Sequence, residues 1–313
     1  MRAMAIDAFG GPERLRPGDR PRPKPRAHEL LIRTVAAGVN PVDARIVGGR
    51  LPSGSSHAFP LIPGFDVAGV VDELGERTSR LRKGDRVWAL ALAASLQWGS
   101  YAEFVAVDES SVALMPTKLL YEEAAAVPLA ALAARQALFD EGRLATGGSV
   151  LIHSGSGGVG HFAVQLAKSA GCRVLATGGP ANQGFLAEIG ADVPIDHTRV
   201  DLRDAVGREV PGGVDLVLQT VDPANLTRSL DLVRPGGRLV STVGLPGGVP
   251  RTGAAIRQLS VKPSADGLRS LAALVDRGAL RPHVSAILSL EQAPEALRRI
   301  AAGHVRGKLV LNL

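Results

Sequence analysis

The chain has 313 residues, 45% hydrophobic and 21% charged, with a formal net charge of +6. This balance excludes disorder, and 37 glycines and 21 prolines without a period exclude collagen-like and low-complexity chains. A single cysteine, Cys172, excludes a disulfide framework and any multi-cysteine zinc cluster.

The first residues lack the apolar stretch of a secretory signal, and no segment approaches the ~20 apolar residues of a membrane span. A soluble, cytoplasmic protein with no membrane partner is expected. The positive charge is mostly arginine scattered among alanine, glycine and proline. Its densest run, Arg20-Pro21-Arg22-Pro23-Lys24-Pro25-Arg26, alternates with proline and reads as an extended, solvated connection. Without interleaved aromatics for base stacking, no nucleic-acid partner is expected.

In chain order, strands are predicted at Glu29–Val35, Asp66–Leu74, Arg86–Leu90 and Tyr101–Val107, separated by Gly/Pro punctuation as in a coiled, barrel-like sheet. A helix is predicted over Glu122–Phe139. Strands and helices then alternate: strands at Ser149–His153, Cys172–Thr177, Val193–Ile195, Val214–Leu218 and Arg238–Val243, helices at Gly158–Ala170, Gln183–Ile189 and Leu226–Val233. That rhythm predicts a parallel sheet with helices on both faces. Helices at Leu268–Arg277 and Pro294–Ala302 and a last strand at Lys308–Leu313 fold back onto the first domain. The expected domains are residues 1–118 with 259–313, and residues 119–258.

The segment Ser149-Val150-Leu151-Ile152-His153-Ser154-Gly155-Ser156-Gly157-Gly158-Val159-Gly160 is a buried strand, a G-x-G-x-x-G turn and a helix start. This is the setting of a dinucleotide fingerprint. Gly155 permits the turn, Gly157 lets the backbone approach a pyrophosphate, and Gly160 lets helix and sheet close up. NAD sites carry an acidic residue ~20 residues further on. Here the second strand runs out into Thr177-Gly178-Gly179-Pro180-Ala181-Asn182 with no carboxylate, which favours NADPH over NADH. No Arg or Lys stands there either, leaving Asn182, Gln183 and His197 as polar contacts.

Several blocks in one order make the chain resemble the zinc-independent medium-chain dehydrogenase/reductases, the quinone oxidoreductase or zeta-crystallin-like group. They are Ala37-Gly38-Val39-Asn40-Pro41-Val42-Asp43, Ile62-Pro63-Gly64-Phe65-Asp66-Val67-Ala68-Gly69, Lys83-Gly84-Asp85-Arg86-Val87, Gly99-Ser100-Tyr101-Ala102-Glu103, Ala124-Ala125-Ala126-Val127-Pro128-Leu129, the glycine loop, and Gly307-Lys308-Leu309-Val310. The resemblance implies an α/β chain with a GroES-like β-rich catalytic domain and a Rossmann doubly wound domain, and commonly a homodimer. It implies that Asn40 and Pro41 sit beside the nicotinamide and that Asp43 lies near the same cleft. It further implies that Ala133, Gly155, Ser156, Gly157, Gly158, Val159, Gly160, Gly178, Gly179, Asn182, His197, Thr220, Val221, Val243, Gly244, Val261 and Lys308 contact the cofactor. Zinc-dependent relatives have a Cys where Val39-Asn40 stands and a His-Glu pair where Phe65-Asp66 stands, so no zinc is expected.

Without a Lewis acid, the natural reaction is hydride transfer to an acceptor that is already electron-poor, a quinone or an α,β-unsaturated carbonyl compound. Asn40, Asp43 and Arg45 are the candidate catalytic residues, and Arg45, Phe65, Trp98 and Arg135 the candidate substrate cleft. Arg45, Ala133 and Arg135 stand where relatives often carry Tyr, Thr and an aromatic residue. The cleft therefore has fewer aromatic walls, and its two arginines suit an anionic or multiply oxygenated substrate. Two other readings remain open: a biosynthetic enoyl reductase or reductive cyclase on the same scaffold, and a non-catalytic NADPH-binding or RNA-binding protein.

Overall fold

The computed structural model describes residues 1–313 except 53, 94, 222, 223, 225 and 246–252. The chain begins β1 (Arg2–Ala5), β2 (Arg16–Asp19), β3 (Glu29–Val39), α1 (Pro41–Val47), β4 (Ser56–Ile62), β5 (Asp66–Leu74), β6 (Arg86–Leu90), β7 (Ser95–Trp98), β8 (Phe104–Asp108) and β9 (Val112–Leu114). There follow α2 (Tyr121–Ala125), α3 (Pro128–Arg135), β10 (Ser149–Ile152), α4 (Gly160–Ser169), β11 (Arg173–Gly178), α5 (Gln183–Glu188), β12 (Val193–Asp196), α6 (Leu202–Glu209), β13 (Val214–Gln219), α7 (Leu226–Leu230), β14 (Val233–Ser241) and β15 (Ala255–Gln258). It ends α8 (Ala265–Asp276), β16 (Val284–Ser289), α9 (Ala293–Ala302) and β17 (Lys308–Asn312).

These elements form two compact units, Met1–Leu132 with Lys262–Leu313, and Ala133–Val261. The first boundary falls later than the expected 118/119, inside α3. Residues 119–132 pack on the first unit: α2 lies against β3 and β5, and the Leu129 N–H donates to Asp66 on β5.

In the first unit a seven-stranded sheet runs β16-β17-β3-β5-β6-β9, with β8 also paired to β3. The long β3 can serve β17, β5 and β8 because its register with β5 shifts twice, at Leu31/Ile32 and Thr34/Ala36. Such bulges bend and coil a strand. Leu30, Ile32, Val67, Val71, Val87, Val105 and Val107 fill the interior of the coil. The last strand, β17, is thereby antiparallel to β3, with Leu309 opposite Val39.

In the second unit all strand pairs are parallel, in the order β12-β11-β10-β13-β14-β15. This is the doubly wound Rossmann order, whose direction of winding reverses between β10 and β13. Val150, Leu151 and Ile152 are wholly buried, as a strand covered on both faces must be. On α4, Phe162, Ala163 and Val164 are equally buried.

Three local expectations are corrected. The helix over 122–139 is instead α2, α3 and a π-helical turn at Gln136–Glu141, because Pro128 has no N–H to continue α2 and starts a new helix. The helix predicted to Val233 stops at Leu230, because Val233 already pairs with Val214 in the sheet. The proline-alternating run is exposed but tethered: Arg22 pairs with Asp72 and Glu73 and stacks over the Phe104 ring.

Gly38 of β3 lies tight under α2. A Cβ there would stand 2.3 Å from the Ala125 carbonyl oxygen and 2.7 Å from Asp66 Oδ2. Gly38→Ala is expected to cost about 1–3 kcal/mol of stability, read as a lower urea midpoint. An unchanged midpoint would mean that α2 and β3 part freely.

Candidate active site

In the second unit, the chain leaves β10 and turns at Ser154, whose φ is +46°. The Ser154 N–H donates to Thr177 Oγ1 (3.1 Å), and the Gly155 N–H to the Thr177 carbonyl (2.8 Å). These bonds tie the loop to the end of β11. A Cβ at Gly155 would lie 2.8 Å from both Ala176 Cβ and Leu186 Cδ2, and one at Gly160 only 2.1 Å from the Ser154 carbonyl oxygen. Both glycines are thus required by the approach of α4 and α5 to the strands. Ser156 is buried, and Gly157, Gly158 and Val159 are half-buried at the start of α4. This backbone cradle leads into a helix N-terminus beside the sheet's switch point, and it fits a pyrophosphate.

The other residues expected in this unit divide by position. Gly178 and Gly179 close β11, and their carbonyls accept from Gln183 Nε2 (3.0 and 3.1 Å). Thr220 and Val221 follow β13, and Val243 and Gly244 follow β14, all half-buried. The glycine loop and these three pairs therefore stand at the same ends of four adjacent parallel strands. Asn182 ends the 3₁₀ turn after β11, and His197 is exposed after β12. Ala133 is buried on α3, Val261 ends the unit, and Arg135 is ion-paired with Asp140 at 3.2 Å. The Arg135 guanidinium is therefore partly engaged within its own unit.

A buried network that no sequence motif announces lies beneath the loop. His153 Nε2 meets Ser229 Oγ (3.0 Å), which donates to Gln219 Oε1 (2.8 Å). Thr220 Oγ1 donates to the His153 carbonyl. Burial, helped by the nearby charge of His197, lowers the His153 imidazole to about 4. The ring is therefore neutral at physiological pH and acts as a hydrogen-bonding brace between strand ends.

In the first unit, Asn40 and Pro41 start α1. Asp43 reaches back so that its Oδ2 accepts from the Asn40 backbone N–H (2.7 Å), which pins the turn. Lys308 Nζ donates to the Val39 carbonyl (3.0 Å), to Asn40 Oδ1, and to Asp66 Oδ2 (3.3 Å). Asn40 Nδ2 donates to Asp66 Oδ2 (2.8 Å), and Asp66 Oδ1 accepts the Leu129 N–H (2.6 Å). Tyr101 Oη donates to Asp43 Oδ2 (3.0 Å). Asn40, Asp43, Asp66, Tyr101 and Lys308 are all at most 2% exposed. Lys308, expected to contact the cofactor, has all three of its protons committed inside this unit. Asp66 and Tyr101 were not among the expected site residues. The signal for Asp66 was a carboxylate directly ahead of the apolar run Val67–Val71.

Arg45 projects into solvent from the last turn of α1, and Pro41 is also exposed. Phe65, buried, and Trp98, 39% exposed, line one narrow slot with Ile46, Leu61, Pro63 and Leu96. Among the described residues, no group of three or more His, Cys, Asp or Glu is placed to hold a metal ion. Among them also, no helix is long and apolar enough to cross a membrane.

Two family models match the chain, the second of them across the 261/262 boundary between the units. Residues 26–117 match the alcohol dehydrogenase GroES-like domain, and residues 189–311 the zinc-binding dehydrogenase domain. The quinone oxidoreductase of Sus scrofa is 33% identical over the whole chain and 98% of its own length, and the human one 32% over the same shares. The solved quinone oxidoreductase of Coxiella burnetii superposes with a TM-score of 0.89 at 31% identity, covering 100% of this chain and 99% of that one. The chain belongs to the medium-chain dehydrogenase/reductase family and is an oxidoreductase. The zinc in the second domain's name finds no donor set among the described residues.

Burial is the main cause that raises the Asp43 carboxyl from an ordinary 3.8 to about 7, and Asp66 adds to it. Between these values the folded protein keeps a proton that the unfolded chain has released. The resulting stabilisation is full below about 4 and is lost as pH rises through about 7. Asp43→Asn cannot ionise, so its urea midpoint should gain on wild type as pH climbs from about 5 to about 8. Parallel profiles of the two proteins would show that Asp43 titrates normally.

Proposed function

We propose that the protein transfers a hydride from NADPH to a quinone or an α,β-unsaturated carbonyl compound without a metal ion. The observation that carries this reading is the G-x-G-x-x-G cradle at the switch point of a parallel sheet whose second strand ends in Gly178-Gly179 rather than a carboxylate. A 2′-phosphate meets no carboxylate at that strand end. The quinone oxidoreductase relatives supply the acceptor class. The donor set, Asn, Lys, Tyr and two Asp, suits hydrogen bonding and proton holding rather than Lewis-acid catalysis.

In this mechanism the backbone N–H groups of Ser156, Gly158, Val159 and Gly160 would hold the pyrophosphate, with the positive end of α4 behind them, while the Gly157 N–H stays bonded to the Ser154 carbonyl and keeps the turn closed. Gly179, which has open space around its Cα, leaves room for the adenosine ribose. When bound, the dihydronicotinamide supplies the hydride, and a proton from solvent completes the two-electron reduction. Asn40 and Pro41 act at the reacting end. Phe65 and Trp98 offer apolar walls to the acceptor, and Arg45 a charge at the rim. A homodimer is the expected assembly.

The test is a panel of quinones, enones and enoyl thioesters assayed with NADPH and NADH. NADPH oxidation by quinones or enones, insensitive to chelators, is the expected outcome. Turnover confined to one thioester would move the assignment to a biosynthetic reductase, and absence of nucleotide binding would end it. Gly157→Val places a branched side chain where a Cβ already meets Ser154 Oγ at 3.0 Å. It should weaken NADPH binding on the order of 100-fold, or roughly 2–3 kcal/mol, by calorimetry, with little change in melting temperature.

A further inference from the structure

The buried cluster of the first unit fixes the direction of one side-chain amide. An ammonium has three donors and no acceptor, and an ionised carboxylate only accepts. Lys308 spends its three N–H groups on the Val39 carbonyl, Asn40 Oδ1 and Asp66 Oδ2. Asn40 must therefore turn Oδ1 to Lys308 and Nδ2 to Asp66. A flipped amide would set N–H against ammonium and carbonyl against carboxylate, two repulsions in a site shielded from water. Asp66 cannot drift, because its other oxygen holds the Leu129 N–H. The Asn40 backbone cannot drift, because Asp43 holds it. Asn40 Nδ2 carries two protons, and Asp66 takes one. Among the described residues no group accepts the second, although Asn40 is only 2% exposed. Leaving such a donor unpaired is unfavourable, a cost removed when a ligand oxygen arrives.

We propose that Lys308 and Asp66 are positioning residues that hold Asn40 as an obligate hydrogen-bond donor, and that its remaining N–H is given to an oxygen of the bound reactants. This rests on the hydride-transfer reading above. The oxygen belongs to the nucleotide, as a hydroxyl or carboxamide, or to the acceptor, as the carbonyl on which negative charge gathers. In either place an acceptor-only Asn40 could not serve, so the lysine and aspartate act through the amide and touch no reactant.

A double-mutant cycle tests this. Lys308→Met strands Asp66 as a buried charge and risks unfolding. Lys308→Arg keeps the charge, but its planar fork cannot reproduce three convergent donors. Asn40→Ala should lower kcat, or raise the NADPH Kd, on the order of 100-fold. Lys308→Arg should move the same parameter on the order of tenfold in wild type and not further in the Asn40→Ala background. A fall in kcat at unchanged nucleotide Kd places the oxygen on the acceptor, and a raised Kd places it on the nucleotide. Additive effects, or no effect of Asn40→Ala on either parameter, would overturn the proposal. A second readout needs no turnover. In 15N-labelled protein the two Asn40 side-chain amide protons should be well separated, and Lys308→Arg should merge them and speed their exchange. If they are unchanged, the lock does not exist. If wild type fails to oxidise NADPH with any quinone, enone or enoyl thioester, the functional reading falls, while the amide protons still decide this one.

Discussion

The first unit depends on a buried lysine–aspartate ion pair. Lys308 and Asp66 come from β17 and β5, and the groups they hold come from the end of β3 and the start of α3. Burying two charges costs several kcal/mol each and is repaid only when every remaining proton and lone pair finds a partner. Here the ammonium is fully bonded, and both carboxylate oxygens accept. The pair therefore adds little net stability but admits very few alternative arrangements. It also explains why the unit is discontinuous in sequence. Asn40 is not oriented until the last strand has entered the sheet beside β3, so the end of the chain completes a turn made near its beginning.

The second unit solves the corresponding problem with neutral groups. His153, Ser229, Gln219 and Thr220 brace the strand ends without adding charge, and burial keeps the imidazole unprotonated. Positive potential at the glycine loop comes from the backbone instead, through the free N–H groups and dipole of α4. A protonated histidine beneath the loop would need its own counter-ion. A neutral one fixes geometry and leaves the anion to the peptide groups.

The parts of this arrangement that were legible in the sequence are those written locally. The apolar run, the glycine turn and the helix start at 149–160 lie within a dozen or so residues, and Asp66–Leu74 and Arg86–Leu90 are strands with the bounds their patterns predict. Pro41 starts α1 because proline suits the first turn of a helix, a short helix that the strand pattern of the first 118 residues did not predict. The burial of Lys308 was not legible. A lysine beside a terminal strand is normally solvated, and its partner Asp66 lies 242 positions away. Asp66 was read only as a replacement for a metal ligand, although its meaning is its pairing. The alanine-rich composition of 122–139 favours one long helix, but the N–H that Pro128 lacks decides the structure. Strands such as β16 are missed because they are half-exposed edges, paired by tertiary contact rather than by a strong pattern.

With its carboxyl raised to about 7, Asp43 is largely protonated below neutrality, and Tyr101 beside it is pushed well above its usual value, so the phenol stays a donor. The buried cluster then holds one positive and one negative charge and sums to zero. Ionising Asp43 would leave an unbalanced negative charge in a medium that screens poorly, one turn from Asn40. An acceptor gaining a hydride gains electron density, so a net negative neighbour would oppose the step that a fixed N–H donor assists. Burial of Asp43 and pairing of Lys308 with Asp66 thus serve one electrostatic end. Below neutrality they keep the ground around Asn40 neutral, so that the charge that develops during reduction is met by a donor alone.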